Sequence, residues 1–450
     1  PRRHPGEVAV SDESGAPDAI DVLDQLRDWL RDNWDPDLTV AQWWERLGVD
    51  GWAAPGLPAN AYGRGLSRND VVRVQQTIAE HGAVGAPAGL GLLLAAPTIA
   101  THGTQAQIDT FVRDIVTGQR AWCHLFSEPG AGSDLAGLTC RAERDGDQWI
   151  INGQKVWTPM GHQADLGMLI ARTDPDAPKH QGITWFVIDM HQPGVEVRPL
   201  REMTGHAMFN EVFLTDAVVA GDAMIGDLGA GWAVANTTLM HERAGLGAGG
   251  GSAGAPTVMP GTIAAQLDRR VGDVAPAPLA TTSKAPRSGG RPPSGAKQLA
   301  DLARSNGRIA DPTIRQDLVR LHTLGELGRF NTLRVKAAKA AGHDLPGMAN
   351  IAKLTMSDMM RLPRDLSLRI VGAAGMLHAY KPEDAGPIVA ATGNPALPMV
   401  TGMALWAQAP PIYGGTDQIQ RNIIGERVLG LPREPGNDRT VPFSELPRNA

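Results

Sequence analysis

The order of sequence patterns along this chain predicts an α+β fold, mostly helical, in which helices pack around a small β domain. Apolar residues recur at helical spacing from about residue 18 to 121 and again from about 228 onward. Between these regions, short β-type runs alternate with turn residues, which is typical of a small antiparallel barrel or sandwich. We therefore expect a helical domain at 18–121, a β domain at 122–222 and a helical domain at 223–450.

Local signals place the elements of the first two domains. Residues 20–30 and 71–79 carry apolar side chains at helical spacing, and a Gly/Pro-rich loop at 51–65 separates them. Asn152-Gly153 lies between two apolar runs and predicts a β-hairpin, because both residues tolerate a positive φ. Further strands are predicted at 168–172, 183–188, 195–197 and 212–214.

In the C-terminal domain, helices are predicted at 316–341 and 352–362, and Pro363 is expected to end the second helix. Before them, from about 247 to 296, the chain is rich in small residues and proline and has few large apolar side chains. We expect the part at about 252–296 to be a mobile surface insertion that folding does not require, with a short helix at 263–271. We also expect residues 1–17 to be disordered.

Bulk composition argues against several classes of function. The 450 residues carry a net charge of -6, which gives no electrostatic reason to expect nucleic acid or an anionic membrane as a partner. Cys123 and Cys140 are the only cysteines, so a disulfide scaffold is disfavoured and a reducing cytoplasm is favoured. The most apolar run, at 82–100, is interrupted by two prolines and predicts a buried helix rather than a membrane span. We expect neither a signal peptide nor a metal site.

The most specific motif is Ile412-Tyr413-Gly414-Gly415-Thr416, followed by Asp417-Gln418-Ile419-Gln420-Arg421. Four further blocks accompany it: SEPGAGSD at 127–134, INGQKVW at 151–157, FNEVF at 209–213 and GAGW at 229–232. In this order, the blocks resemble the acyl-CoA dehydrogenase family across nearly the whole chain. The resemblance implies an N-terminal helical domain, a middle β domain and a C-terminal four-helix-type bundle.

The same resemblance implies FAD-dependent α,β-dehydrogenation of an acyl-CoA thioester, with hydride passing to flavin N5 and an electron-transfer flavoprotein as electron acceptor. Family positions near FAD correspond to Phe126, Ser127, Trp157, Thr158, Gly372, Thr416 and Gln418. Family positions near the acyl-CoA correspond to Ser133, Arg243 and Tyr413. The residue types suit these roles, because Gly130 and Gly132 allow a positive φ and a close backbone approach. Trp157 offers a flat stacking surface.

The base expected at the C-terminal motif is absent. The family carries a glutamate between the aromatic residue and the glycine, and Gly414 stands there instead. Gly414 keeps a backbone N–H that can polarise the thioester carbonyl. A subset of the family, similar to isovaleryl-CoA and long-chain acyl-CoA dehydrogenases, places its base on the helix after the β domain, directly before an arginine. Glu242-Arg243 matches that pattern, so we predict Glu242 as the base. Glu128 and Asp417 are rival carboxylates, and Asp417 is more typical of a helix cap.

Two departures from the family keep other functions open. The family often has a hydroxyl near flavin N5 at the second residue after the tryptophan. Here that residue is Pro159, so either Thr158 substitutes for it or the contact is lost. The arginine-x-x-phenylalanine-glycine segment that reaches a neighbouring subunit's flavin is not recognisable, which leaves Arg315 or Arg329 as candidates. The alternatives are a non-catalytic partner subunit of a hetero-oligomer, or a flavin oxidase or monooxygenase on the same fold. Homo- and hetero-oligomers, and fatty-acid or sterol side-chain substrates, all remain open.

Overall fold

The computed structural model describes residues 22–247, 258–275, 295–433, 435–436, 438 and 440–447. Residues 1–17, which are expected to be disordered, therefore lie outside the described residues. The two ends of the insertion, 252–257 and 276–294, also lie outside them. Helices, then strands, then helices follow one another along the described chain, so the predicted α+β, mostly helical fold is confirmed. Within these ranges, no helix combines the length and the apolar character that crossing a membrane requires.

Six α-helices form the described part of the N-terminal domain. They are α1 (Val22–Asn33), α2 (Val40–Val49), α3 (Arg68–His81), α4 (Ala96–His102), α5 (Gln105–Gln107) and α6 (Arg113–Val116). A π-helical turn at Gly91–Ala95 leads into α4, and another at Ile108–Val112 joins α5 to α6. Helix α2 buries Trp43 and Trp44, whose indole N–H groups donate to the carbonyl oxygens of Val84 and Gly85. These bonds satisfy the polar atoms of two large core side chains.

The middle domain is a mixed sheet. Its described strands are β1 (Trp122–Leu125), β2 (Arg141–Asp145), β3 (Gln148–Pro159), β4 (Leu166–Arg172), β5 (Ile183–Asp189), β6 (Val195–Leu200), β7 (Phe209–Ala220) and β8 (Met224–Ile225). They follow the order β6-β7-β3-β2-β4-β5-β8, and β1 pairs with β4. Most pairs are antiparallel, whereas β1–β4 and β2–β4 are parallel. Strand β5 is buried at every residue from Ile183 to Ile188, so both of its faces are covered.

The prediction of a β-hairpin at Asn152-Gly153 is wrong. Strand β3 passes through both residues without a turn, and the turn lies at Gly146-Asp147, where Gly146 has a φ of +59°. Asn152-Gly153 instead lies at a register shift against β7, where the extra residue belongs to β7. A side chain at Gly153 would lie 2.7 Å from Cys140 Cα. The glycine therefore permits a close approach between β3 and Cys140. In the local sequence, a glycine needed for such an approach looks the same as a glycine needed for a hairpin turn.

The described C-terminal part is again helical. Its helices are α7 (Gly231–Gly247), α8 (Val271–Val274), α9 (Gly295–Ser305), α10 (Pro312–Ala340), α11 (Met348–Val371), α12 (Ala385–Thr392), α13 (Leu397–Trp406) and α14 (Asp417–Ile423). Pro363 lies inside α11 and does not end it, contrary to expectation. Leu366 and Ile370, beyond the proline, are buried in one cluster with residues of α9 and α10. Burial of each of these two side chains contributes about 1.5–3 kcal/mol. Together the two contributions offset the roughly 3 kcal/mol cost of an interior proline.

The central part of the insertion packs against the N-terminal domain. Val258, Val271 and Val274 are buried, and backbone hydrogen bonds join residues 267–272 to residues 36–41. The helix predicted at 263–271 is replaced by turns, and α8 begins only at Val271. The expectation of a mobile surface excursion is therefore wrong for 258–275. Composition missed this contact because much of it is made by backbone groups, which every residue type carries.

Asp165 anchors the same segment to the β domain. Its carboxylate is fully buried and accepts hydrogen bonds from the N–H groups of Ala121 and Thr262, at 2.7 and 3.1 Å. The Thr262 hydroxyl donates to the same carboxylate. One buried acid thus joins the insertion to the loop that enters β1.

Asp165→Asn should loosen this anchor, because one carboxylate oxygen that faces N–H groups becomes an N–H donor. Hydrogen bonds to charged groups contribute about 1.5–3 kcal/mol, and we expect the free energy of unfolding in urea to fall by that amount. Proteolysis within 258–275 should become faster. The matched control is Asp268→Asn, an exposed change in the same segment. Equal stability and equal protease resistance of the two variants would contradict the anchoring role.

Candidate active site

The predicted base, Glu242, lies near the end of α7, which is held between the sheet and the other helical layers. A side chain at Gly231, the first residue of α7, would lie 2.5 Å from the backbone of Thr184 in β5. The glycine therefore lets the helix touch the strand. Further along, α7 contacts α4, the π-helical turn at Gly91–Ala95, and α11. The position of Glu242 thus depends on three regions of the fold.

Two hydroxyl contacts fix α7 against α4. The Thr238 hydroxyl lies 3.0 Å from the Thr98 hydroxyl, and both side chains are fully buried. The neighbouring Thr237 hydroxyl lies 2.8 Å from His102 Nε2. Thr238 is one helical turn before Glu242, so it lies on nearly the same face of the helix. Sequence reasoning missed these residues, because a threonine inside a helix carries no distinctive signal.

The surroundings of Glu242 favour its protonated form. The side chain is half-buried, and burial raises the pKa of Glu242 above its ordinary value. The positive charge of Arg243 acts in the opposite direction, and no described residue donates a hydrogen bond that would hold the carboxylate. Burial also lowers the pKa of Arg243, and the charge of Arg427 lowers it further. Glu242 is therefore a carboxylate that can take up a proton readily.

The loop at Gly414 is shaped by Gln420 of α14. The Gln420 side chain is buried and donates to the carbonyl oxygens of Gly414 and Gly415, at 3.0 and 3.3 Å. Its own oxygen accepts from Asn350 of α11 at 2.7 Å. Gly414 has a φ of +62°, and within the described chain its N–H has no acceptor. The adjacent Tyr413 is half-buried, and burial raises the pKa of its phenol. The loop therefore presents a free backbone donor.

Thr416, not Asp417, caps the final helix. The Thr416 hydroxyl accepts from the N–H of Ile419, whereas the expected cap Asp417 points into the bundle and is buried. Its carboxylate is bound by Ser357, Lys353 and Arg361 of α11, at 2.7, 3.3 and 2.8 Å. Burial alone would raise the pKa of Asp417, but these hydrogen bonds hold it below the ordinary value. Asp417 is therefore structural, and Gln418 beside it is exposed.

Glu128 is also held by several donors. It forms a 2.8 Å ion pair with Lys155, whose side chain has no exposed surface. It also accepts from the N–H and hydroxyl of Thr139 and from the N–H of Cys140, at 2.7, 2.9 and 2.9 Å. Burial alone would raise the pKa of Glu128, but Lys155 and these hydrogen bonds lower it. This arrangement makes Glu128 a structural centre of the 127–134 loop.

The loop itself is open on its outer side. Ser133 is exposed, and an added side chain at Gly130 or Gly132 would meet no atom within 4 Å. Neither glycine has a positive φ, so the conformational reason predicted for them is wrong. At the inner end of the loop, the Phe126 carbonyl accepts from Lys155 and the Ser127 carbonyl accepts from Val156. The loop is thus fixed along β3 and leaves free space beside its glycines.

Trp157 and Thr158, at the end of β3, have unusual environments. Trp157 has a φ of +59°, lies at a register shift between β3 and β7, and is 59% exposed, so it is not a core residue. A positive φ is rare for a bulky residue and often accompanies a functional site. The Thr158 hydroxyl is buried and has no hydrogen-bond partner among the described atoms. A flat exposed ring thus lies beside an unsatisfied polar group.

His124 is a further candidate active-site residue, which the sequence did not indicate. Its ring lies 4.0 Å from that of Phe126, and its Nε2 is buried without a partner among the described atoms. Burial, together with the charge of Lys155, lowers the pKa of His124 to about 4. The ring is therefore neutral at physiological pH. An orphaned ring nitrogen was not visible in the sequence, because it depends on what packs around β1.

The predicted cofactor residues fall into two groups on different domains. Phe126, Ser127, Trp157 and Thr158 lie in the β domain, whereas Gly372, Thr416 and Gln418 lie in the C-terminal bundle. Gly372 ends α11 with a φ of +63°. Helix α11 contacts both α7, which carries Glu242, and α14, which follows Gly414. The two predicted catalytic positions are thus carried by elements packed on one helix.

Lys155→Met should strongly destabilise the β domain, because it leaves the buried Glu128 carboxylate without its cation. Removing one partner of a buried ion pair costs about 3–5 kcal/mol, measurable as a loss in the free energy of unfolding in urea. The double variant Lys155→Met/Glu128→Gln should recover part of this loss, since no uncompensated charge remains. The lowered pKa of Glu128 means that the parent loses this stabilisation as the pH falls through that pKa. A single variant as stable as the parent would refute this account.

Comparison with known proteins agrees with this architecture. Domain models of the acyl-CoA dehydrogenase family match residues 21–119 (N-terminal domain), 123–217 (middle domain) and 294–429 (C-terminal domain). The acyl-CoA dehydrogenase IpdE1 of Mycobacterium tuberculosis is 32% identical over 427 residues, which are 91% of this chain and 97% of that relative. FadE34 of the same organism is 34% identical over 388 residues, 86% of this chain but only 46% of that relative.

Solved structures show the same fold. The structure named "Tcur3481-Tcur3483 steroid ACAD" has a TM-score of 0.64 at 23% identity and covers 92% of this chain and 97% of its own. The ChsE4-ChsE5 complex from Mycobacterium tuberculosis has a TM-score of 0.62 at 24% identity and covers 92% and 98%. The family resemblance seen in the motifs is confirmed, and the chain belongs to the acyl-CoA dehydrogenase family and is an enzyme of that class.

Proposed function

We propose that this chain catalyses the α,β-dehydrogenation of an acyl-CoA thioester to the trans-2-enoyl-CoA, with Glu242 as the base that removes the α-proton. The observation that carries this proposal is the environment of Glu242. Its carboxyl group is half-buried, burial raises its pKa, and no described residue donates a hydrogen bond to it. A weakly acidic α-proton requires a base whose pKa is raised towards neutrality.

In the proposed proton transfer, Glu242 acts in its ionised form and becomes neutral. The neutral form suits its half-buried position, so burial favours the product side of this transfer. Arg243 opposes burial and helps to keep the carboxylate ionised before the reaction. Thr98 and His102 act by holding α7 through Thr238 and Thr237. They are positioning residues rather than participants in the chemistry.

Gly414 is proposed to polarise the thioester carbonyl. Its backbone N–H has no acceptor among the described residues, and Gln420 holds the peptide groups of the loop in place. A preorganised donor aimed at a developing negative charge lowers the barrier to proton removal. A glycine at this position also leaves room for the base to approach from α7. Ser133, Arg243 and Tyr413 are proposed to line the acyl-CoA.

The family is flavin-dependent, and the residues at the expected FAD positions fit a flat aromatic cofactor. Trp157 presents an exposed ring, and Thr158 has a buried hydroxyl in need of a partner. FAD, when bound, supplies the acceptor for the hydride that leaves the β-carbon. We assign Phe126 and Ser127 to the same side of FAD, and Gly372, Thr416 and Gln418 to its other end. An electron-transfer flavoprotein is the proposed electron acceptor.

For the acyl group, we propose a bulky chain such as a sterol side chain, with fatty acyl chains as the alternative. Two observations support this: Gly414 lacks the usual side chain, and one structural neighbour is named as a steroid enzyme. We also propose that the chain works as an oligomer. The C-terminal bundle exposes large apolar side chains, and two structural neighbours are two-chain complexes.

A non-catalytic or co-dependent partner subunit is the second candidate. Pro159 offers neither hydroxyl nor N–H at the end of β3. Arg329, one substitute considered for the missing arginine segment, forms a 2.7 Å ion pair with Glu326 of its own helix. These features favour a cofactor site that a second chain completes.

Glu242→Gln should slow flavin reduction by an acyl-CoA by about 10²–10⁴-fold, the usual contribution of a general base. Anaerobic stopped-flow absorbance measures the rate, with Glu80→Gln, an exposed carboxyl on α3, as the control. FAD content should match the parent. Gly414→Glu in the Glu242→Gln background should restore little activity, because the φ of +62° strains any side chain there.

Unchanged reduction in Glu242→Gln would refute the base assignment. A chain that takes up no FAD, alone or with a related second chain, would refute the cofactor assignment. Flavin uptake only in a mixture of the two chains would favour the partner-subunit function.

The raised pKa of Glu242 also predicts a dependence of stability on pH. A carboxyl group with a higher pKa in the folded state binds more protons when folded, so stability falls as pH rises from the ordinary glutamate pKa through the raised one. Glu242→Gln removes this loss. The variant should therefore melt at a higher temperature than the parent near pH 8 and show a smaller difference at pH 4–5. A difference that does not change with pH would show that burial does not shift this group.

A further inference from the structure

A segment that follows the C-terminal bundle packs back against the β domain. The structure describes it at Asp438 and at 440–447, and we call these residues the strap. The N–H groups of Phe443 and Ser444 donate to carbonyl oxygens in the loop at 173–182, which joins β4 to β5, over 3.0 and 2.8 Å. An isolated β-bridge links the same two segments. The strap is therefore held to the β domain by backbone contacts as well as by side chains.

The aromatic ring of the strap covers a buried cation. The guanidinium carbon of Arg172 lies 3.7 Å from the ring centre of Phe443, and Arg172 is only 4% exposed. The guanidinium also donates to three backbone carbonyl oxygens, those of Ala136, Leu138 and Lys179, at 2.6, 3.2 and 2.7 Å. A desolvated guanidinium is stabilised by such a ring, because the ring face carries negative partial charge. Phe443 thus completes the surroundings of Arg172.

Lys179 binds two carboxylates at once. Its ammonium lies 2.7 Å from Asp438 of the strap and 3.0 and 3.1 Å from the two carboxylate oxygens of Asp134. The Lys179 side chain is 9% exposed, whereas those of Asp134 and Asp438 are 51% and 43% exposed. Since an ammonium has three donors, one lysine can hold both acids. Burial alone would lower the pKa of Lys179, but Asp438 and Asp134 raise it above its ordinary value, so the side chain is charged.

These contacts meet at the 127–134 loop. Asp134 is the last residue of this loop and follows Ser133, and residues 136–138, which include two of the acceptors of Arg172, come directly after it. The inner end of the loop is fixed by a buried ion pair, whereas there is free space beside its glycines. Its outer end is tied to the domain by the same two cations that the strap covers. The position of this outer end therefore depends on the strap.

The loop that joins β4 to β5 also touches the helix of the proposed base. The His180 ring lies 5.0 Å from the ring of Trp232, the second residue of α7. A side chain at Gly229, two residues before α7, would lie 2.7 Å from the carbonyl oxygen of Gln181. The loop between β4 and β5 thus contacts the strap, the outer end of the 127–134 loop and the start of α7.

We propose that Lys179, Asp438 and Phe443 are positioning residues for acyl-CoA binding. Through them, the strap fixes the outer end of the 127–134 loop in the conformation that receives the substrate. The three residues act through the loop and do not contact the reacting atoms. This inference rests on the proposed function, which assigns Ser133 to the acyl-CoA, and it extends that function to residues far from Ser133 in the chain.

The test uses the full chain loaded with FAD and two changes in the strap. Asp438→Asn keeps the size of the side chain and removes its charge. Phe443→Leu keeps an apolar side chain and removes the ring face. Glu445→Gln, a change at an exposed acid of the same segment, is the matched control. Asp438→Glu keeps the charge and should behave like the parent.

The first readout is hydrogen exchange of the amides at 130–138, measured by mass spectrometry. We expect this exchange to become about two- to fivefold faster in Asp438→Asn, because ion pairs with partly exposed partners contribute modestly. Phe443→Leu should change it in the same direction, since the desolvated contact with Arg172 is lost. Glu445→Gln should leave it unchanged.

The second readout is flavin reduction at increasing concentrations of octanoyl-CoA or of a steroid-side-chain acyl-CoA, whichever reduces the parent faster. In Asp438→Asn, the concentration that gives half the maximal rate should rise by about two- to fivefold. The maximal rate should stay within about twofold of the parent's, because a positioning residue for binding changes the affinity and not the chemical step.

Three results would overturn the inference. Faster exchange in the strap with unchanged exchange at 130–138 would show that the strap opens without moving the loop. Faster exchange at 130–138 with an unchanged half-maximal concentration would show that the loop's outer end does not set substrate affinity. A maximal rate and a melting temperature that fall together with the affinity would show a general structural role. If neither acyl-CoA reduces the flavin of the parent, the proposed chemistry fails, and exchange at 130–138 still decides whether the strap fixes the loop.

Discussion

The ion pair between Lys155 and Glu128 connects the parts of the β domain on which the candidate site depends. It joins the loop after β1 to the bulged strand β3, and Thr139 and Cys140 complete the bonds to the same carboxylate. Both charges are buried, so moving the loop away from the strand would leave each charge unpaired at a large cost in free energy. The Phe126 carbonyl also accepts from Lys155. The path of the loop and the exposed position of Trp157 at the end of β3 are therefore parts of one arrangement.

The helical side of the site follows a different physical rule. Helix α7 carries an acid into a half-buried position, and hydroxyl groups of α4 and α7, rather than charges, hold the helix there. The site keeps Glu242 weakly solvated, whereas Glu128 and Asp417 are surrounded by donors. The three carboxylates that the sequence suggested as bases therefore differ in their environments and in the direction of their pKa shifts. Only Glu242 has the raised pKa that proton abstraction needs.

The two faces of the C-terminal bundle differ in burial and charge. The inner sides of α10 and α11 bury a small apolar cluster, and Asp417 ties α14 to α11 through Lys353 and Arg361. The outer side of α10 is apolar and flanked by cations, although the chain as a whole is acidic at a net charge of -6. A local excess of positive charge on one helix of an acidic protein is therefore a property of a surface, which total composition cannot reveal.

Sequence alone determined the order of helices and strands, which follows from periodicity. It also determined the family and the choice of Glu242 as the base to examine, which follow from the resemblance of its motifs to acyl-CoA dehydrogenases. Signals that depend on distant contacts were misread. Gly153 permits a close approach to Cys140 at a register shift between β3 and β7. Pro363 is tolerated by packing beyond it, and Asp417 turns inward while Thr416 caps the helix. Residues 258–275 dock through Asp165 and backbone bonds that composition does not record. Only the tertiary structure decided these, since burial and hydrogen-bond partners come from segments far apart in the chain.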